Sequence, residues 1–174
     1  MIRFLFLPTS CFLFALGSGL AAPLSDSAAP FQVNVPDGWV QRPYPNHLPG
    51  VLVIAPGTPP PVVLQFFYAP HKGKPNDTKM LADFIGGVEE SMRGDGRGSV
   101  KQLSTRSLDV DGIKGTERQY DLTLKANGVT VRTKIWYGVS AKNLLSFQTT
   151  IGTAATPAQA AAFDKALKTV KFKR

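Results

Sequence analysis

Residues 110–139, VDGIKGTERQYDLTLKANGVTVRTKIWYGV, hold two turn dipeptides, Asp111-Gly112 and Asn127-Gly128, between runs rich in β-branched and aromatic residues. Asp-Gly and Asn-Gly supply the positive φ angles of a two-residue type I′ hairpin, so the stretch predicts consecutive antiparallel strands. They run from Val100 to Val110, Ile113 to Lys125 and Val129 to Val139. With two residues in each turn, register follows by counting. Leu124 then faces Val131, Tyr120 faces Ile135 and Asp121 faces Lys134; across the first turn Leu103 faces Tyr120 and Arg106 faces Glu117. Apolar meets apolar and acid meets base, which supports the two registers together. A turn at Ala141-Lys142-Asn143 leads to a fourth strand, Leu144 to Ile151.

Alternation along this meander puts Trp136 on the face opposite Tyr120 and Ile135, beside Arg132 and Lys134. Helices on one face only would leave Trp136 in water, so a second layer must cover it or it lines a cleft. The chain offers that layer near its end. Thr156 is a capping residue, Pro157 suits the first helical position, and Ala161, Phe163, Ala166, Leu167 and Val170 follow. Lys171, Phe172, Lys173 and Arg174 close the chain as a short apolar anchor with solvated charges.

Upstream, Phe31 to Val35 alternates as a first strand, and Val40 to Gly50, with Pro43, Pro45 and Pro49, reads as loop. Val51 to Ile54 is a short apolar strand. The run Pro56 to Pro61 is a turn, and Val62 to Tyr68, apolar on nearly both faces, belongs mid-sheet. Asp77 or Thr78 caps a helix whose buried face is Leu81, Phe84, Ile85, Val88 and Met92, with Glu89 and Glu90 outside the stripe. Gly86-Gly87 inside it costs about 1 kcal/mol per Gly relative to Ala, which close approach of helix to sheet would offset. Gly94 ends the helix.

The front end reads as an export signal over residues 1–21: Arg3, an apolar run from Phe4 to Leu20, and small residues that suit cleavage after Ala21. A retained membrane anchor is the weaker alternative. Cys11, the one cysteine, lies inside the apolar run and is lost with it, which removes disulfide, thiolate and zinc-thiolate chemistry from the mature chain. Residues 22–30 read as a flexible leader, and residues 31–174 as a single domain. Removing Arg3 from the 20 Lys and Arg leaves 19 against 12 acidic residues, a balance that favours anionic surfaces. The bases are scattered through every segment, so a dedicated nucleic-acid surface is not expected.

In order, these are a strand into "VPDGW" (35–39), two apolar strands, the helix "LADFIGGVEESM" (81–92), the meander "VDGIKGTERQYDL" (110–122) and "FDKALKTVKF" (163–172). That order resembles the PsbP-like fold superfamily. The superfamily includes the PsbP extrinsic photosystem proteins, a Ran-binding nuclear release factor and bacterial envelope proteins such as DcrB, the exported branch being nearest. The resemblance implies an α+β protein, an α/β/α sandwich around a central antiparallel sheet, with a helical layer over Trp136. It carries no common catalytic site, so no functional residue comes with it.

Chemistry-bearing motifs are few. His47 and His71 are the two histidines, each in a Pro-flanked loop and read as exposed; neither spacing makes a metal site with Asp77. No G-x-S-x-G elbow or Ser-His-Asp set is present. Asp109-Val110-Asp111-Gly112 mimics the start of a calcium loop but lacks its later ligands, and Gly94 to Gly98 follows a helix where a phosphate loop would follow a strand. Tyr44, His47, Tyr68 and His71 stand in or beside Pro-stiffened loops and form a possible partner-binding rim. In "VPDGW", Pro36, Asp37 and Gly38 suit positions i+1 to i+3 of a type I turn, and Trp39 reads as a packing anchor.

The expectation is an exported, non-catalytic, monomeric accessory domain of the cell envelope, periplasmic or secreted, without cofactor or metal. It contacts an envelope protein or an anionic surface. Two alternatives stand beside it: a small-molecule carrier or unrecognised hydrolase with a cleft near Trp136 or the Tyr44 and Tyr68 loops, and a PsbP-type photosystem accessory protein.

Overall fold

The structure is a computed structural model and describes residues 22–94 and 97–173. The export signal expected over residues 1–21 and the middle of the Gly94–Gly98 stretch fall outside the described residues.

Short strands β1 (Ala22–Pro23), β2 (Phe31–Gln32) and β3 (Asn34–Val35) precede β4 (Val40–Pro43) and a 3-10 turn at Pro45–His47. β5 (Gly50–Ile54), β6 (Val62–Pro70) and helix α1 (Thr78–Gly94) follow. The meander is β7 (Arg97–Val110), β8 (Ile113–Leu124), β9 (Thr130–Val139) and β10 (Asn143–Ile151). Helices α2 (Pro157–Ala160) and α3 (Ala162–Leu167) and strand β11 (Lys171–Phe172) finish the chain. Among the described residues, seven strands form one antiparallel sheet in the order β4-β5-β6-β10-β9-β8-β7.

Two buried clusters lie on the two sides of this sheet. One joins Phe66, Trp136, Leu145 and Phe147 to Phe163, Ala166 and Leu167 of α3. The other joins Tyr120, Leu122, Ile135 and Tyr137 to Ile85 and Met92 of α1, with Leu81, Phe84 and Val88 packed against it. The helical stripe and the cover over Trp136 are where the sequence puts them. Trp136 is 0% exposed, and its indole donates to the Leu108 carbonyl at 2.8 Å. Beneath the ring lie two glycines paired across strands, Gly115 and Gly138; a Cβ on either would fall on the indole. The Trp136 ring thus occupies the space that a side chain at Gly138 would otherwise fill, and at Gly115 the Tyr137 carbonyl oxygen adds a backbone barrier.

Local signals explain the element ends. Asp77 caps α1, its carboxylate accepting from the Met80 N–H at 3.0 Å. Thr156 and Gln159 close a reciprocal capping box at α2, with Pro157 in the first turn. Asp111 and Gly112 carry φ of 46° and 85°, the type I′ pattern, and the registers Val110 with Ile113 and Arg106 with Glu117 follow from that turn. Arg106 grips the buried Glu117 carboxylate with two hydrogen bonds, at 2.8 and 3.1 Å.

Several expectations need correction. Asn127-Gly128 is part of a four-residue loop: Leu124 and Val129 bond across it, and Gly128 N–H donates to the Leu124 carbonyl at 2.9 Å. The register moves by two, so Tyr120 faces Thr133, Asp121 faces Arg132 and Leu122 faces Val131. An even slip keeps every side chain on its expected face. Near Leu103 a bulge shifts the β7 register, so Gln102 rather than Leu103 lies opposite Tyr120. Val40 to Pro43 is an edge strand, where a proline is tolerated because its missing N–H points away from the ladder. Residues 22–30 are held rather than loose: β1 pairs with β3, Leu24 N–H donates to the Val33 carbonyl, and Ala29 is buried.

The Gly86-Gly87 expectation also fails. A Cβ on either glycine meets nothing within 4 Å, so no close approach to the sheet explains them. The "VPDGW" turn sits one residue later than expected. Trp39 N–H donates to the Pro36 carbonyl, which makes Gly38, with φ of 74°, the third residue, as in a type II turn. Trp39 is half-buried and packs against the Trp136-side cluster, as a packing anchor should.

Candidate functional site

A wide groove lies beside α1. That helix packs over β7 and β9, which leaves the same face of β5, β6 and β10 uncovered. The result is a groove of about 560 Å³. Its floor is set by the β6–β10 register, which places Gln65 directly opposite Gln148 and Phe67 directly opposite Ser146. One wall is α1, through Phe84, Gly87, Val88 and Met92; the other is Tyr44 with Leu48. Tyr44 Oη donates to Gln65 Oε1 at 2.9 Å, and the Tyr44 and Phe67 rings lie 5.7 Å apart. Gly87 leaves open the helix wall that a side chain would close.

The four rim residues expected from sequence do not come together. Tyr44 lines this groove, and His47 is exposed in the adjoining 3-10 turn. Tyr68 points to the other side of β6, against Phe31 at 6.0 Å, because Phe66 and Tyr68 alternate with Gln65 and Phe67. Its hydroxyl donates to Asp26 at 3.0 Å, and burial together with that carboxylate pushes its pKa up to about 12. His71 is half-buried, not exposed: Nε2 bonds the Ser140 carbonyl at 2.8 Å, while Nδ1 is buried without a partner. Among the described residues no group of three or more His, Cys, Asp or Glu is placed to hold a metal ion. The Asp111 carboxylate is instead spent on the chain end, accepting from Lys171 Nζ at 2.9 Å and Phe172 N–H at 2.8 Å.

Sequence reasoning missed a polar network under α1. Glu89 turns toward the sheet, where its Oε1 accepts from both Arg118 and the Tyr120 hydroxyl. Burial by itself would raise the Glu89 carboxyl, but the hydrogen bonds from Tyr120 and Arg118 and the nearby Arg93 hold it below its ordinary value. Tyr120 is raised by burial and by its bond to Glu89, and burial pushes Tyr137 up to about 12. The Glu89 carboxylate thus ties α1 to β8 through Arg118 and Tyr120.

A second feature gathers at one end of the sheet. The segment after β6 is pinned by hydrogen bonds from His71 N–H to the Lys142 carbonyl and from Asn76 N–H to the Val139 carbonyl. Lys114 N–H in turn donates to Asn76 Oδ1 at 2.8 Å. These contacts bring Lys72, Lys74, Lys79, Lys114 and Lys142 to the same end, all exposed, and none is in an ion pair among the described residues. The nearby carboxylates are Asp77, which caps α1, and Asp109, opposite Lys114 in the ladder.

This sheet with its helices is a PsbP-like fold, as the order of sequence elements implied. Two solved structures carry the likeness over most of both chains. The solution structure of cyanobacterial PsbP (CyanoP) from Synechocystis sp. PCC 6803 superposes with a TM-score of 0.58 at 17% identity, covering 90% of this chain and 95% of that one. The crystal structure of LpqN, involved in cell envelope biogenesis of Mycobacterium tuberculosis, gives 0.61 at 14% identity, covering 89% and 91%. A Bacteroides thetaiotaomicron crystal structure gives 0.53 at 11% identity over 83% of this chain, which spans about half (46%) of that protein. No family model and no curated protein matches the sequence.

Proposed function

We propose that this chain is an exported, non-catalytic accessory domain of the cell envelope, an α/β/α sandwich that rests on an anionic surface through its lysine end. The observation that carries this reading is the set of five exposed, unpaired lysines drawn from three segments to one end of the sheet. Lysine is a point charge without the fork geometry of arginine, so the patch suits a diffuse field of phosphates better than one shaped ligand. Each lysine near an anionic lipid surface contributes about 1 kcal/mol at most, which gives weak and reversible binding. LpqN, which shares the fold, is involved in cell envelope biogenesis, and the apolar segment at residues 1–21 fits export; both favour this compartment.

Co-sedimentation with phosphatidylglycerol vesicles tests the reading, with phosphatidylcholine vesicles as the control. Binding is expected only to the anionic vesicles. It should be lost at about 1 M salt, where the Debye length shrinks to about 3 Å, and in the triple variant Lys72→Glu, Lys74→Glu, Lys142→Glu. Equal sedimentation of the triple variant and the unmodified chain would defeat it.

A further inference from the structure

The groove beside α1 differs in chemistry from the rest of this basic chain. No Lys, Arg or His lines it, and its single acidic residue is Asp83, which is exposed. Its floor sets two side-chain amides and a hydroxyl beside the Phe67 ring. Gln65 spends its oxygen on the Tyr44 hydroxyl, so its NH₂ is left to donate. Gln148 spends its NH₂ on Thr150 Oγ1, at 3.3 Å, so its carbonyl is left to accept. Ser146 is buried and makes no side-chain hydrogen bond among the described residues. A donor and an acceptor therefore stand side by side, on residues directly paired across β6 and β10. Above them, Phe67, Tyr44, Phe84 and Met92 supply flat or apolar wall.

We propose that this groove is a binding site for an uncharged, planar small molecule that carries an amide. Its carbonyl would accept from Gln65, its NH₂ would donate to Gln148 or Ser146, and its ring would lie along Tyr44 and Phe67. The size fits: about 560 Å³ falls within the range of small-molecule sites. A peptide strand is the poorer occupant, because the floor lies mid-sheet and its backbone groups are already bonded in the β5, β6, β10 and β9 ladders. An anion would be desolvated with no cation to meet it, beside the Asp83 carboxylate.

The test is a matched set of probes titrated into the full chain and followed by amide NMR shifts. The probes are 2-naphthamide, 2-naphthoate and 2-naphthylmethylammonium. The neutral amide is expected to saturate shifts in β6, β10 and α1, and the two charged probes to bind about tenfold more weakly or less. Gly87→Phe, whose side chain has open space to enter, should abolish binding, and Gln148→Leu should weaken it about tenfold with the fold intact. Gly86→Phe, one position outside the groove lining, should leave binding unchanged. No saturable shift with 2-naphthamide, equal binding of 2-naphthoate, or indifference to both Gly87→Phe and Gln148→Leu would overturn the assignment. Vesicle binding is independent of these outcomes, since no lysine of the basic end lines the groove.

Discussion

β6 and β10 contribute to both sides of the sheet, and their alternating residues describe two different environments. Leu64, Phe66, Leu145 and Phe147 face a side filled by aromatic rings and α3. Gln65, Phe67, Ser146 and Gln148 face a side that α1 covers only in part. The same strands are thus a packed interior on one side and an amide-lined floor on the other. What decides between these is the reach of the covering helix, since the strand positions themselves are equivalent.

The largest break in that contrast would come from the filled side. Trp136→Ala removes the ring that covers two glycines and leaves the Leu108 carbonyl without its donor, at an expected cost of about 3–5 kcal/mol. Urea unfolding would measure it; a loss below about 1 kcal/mol would mean the interior collapses around the gap.

A smaller effect is expected under α1, and it depends on pH. Glu89 is held below its ordinary pKa in the folded chain, so its contribution is present above the unfolded value of about 4.3 and is lost as pH falls through the folded one. Glu89→Gln should reduce stability near neutral pH by about 1.5–3 kcal/mol, while the unmodified chain and the variant converge in acid. Melting curves between neutral and acidic pH would show this, and parallel curves at all pH values would contradict it.

The smallest effect has the opposite sign. Gly87→Ala meets no atom and improves helix propensity, so it should stabilise the chain by about 1 kcal/mol and raise Tm by about 2–4 °C. A stabilising substitution in the groove wall would sharpen the contrast, because on the filled side an added methyl at Gly115 or Gly138 must destabilise.

Much of the fold was legible because period-two patterns survive local errors. The Asn127-Gly128 loop is two residues longer than its dipeptide signal implies, yet Trp136, Ile135 and Tyr137 lie on their expected faces. The Leu103 bulge was not legible, since the extra residue carries no turn signal. Of the groove, only Tyr44 was marked in advance. Gln65 inside "VVLQFFY" and Gln148 inside "LLSFQTT" are readable as polar residues alternating with apolar ones, but the near-continuous apolar run from Val62 to Tyr68 points to burial on both faces. The lysine end was invisible in sequence because its members come from separate segments and meet only through hydrogen bonds made after folding.

Gly115, Trp136 and Gly138 have a consequence for how this chain can change over generations. A Cβ at Gly138 collides with the indole, and with a smaller residue in place of the tryptophan it would occupy the vacated space; a Cβ at Gly115 also meets the Tyr137 carbonyl oxygen at 2.5 Å, which no change at the tryptophan removes. Trp136 and Gly138 are therefore locked to one another, each single step away being costly and the route out beginning with the tryptophan, whereas Gly115 is fixed by the backbone as well. Gly138→Ala should be far better tolerated beside Trp136→Leu than by itself, a coupling that a double-mutant cycle would read directly.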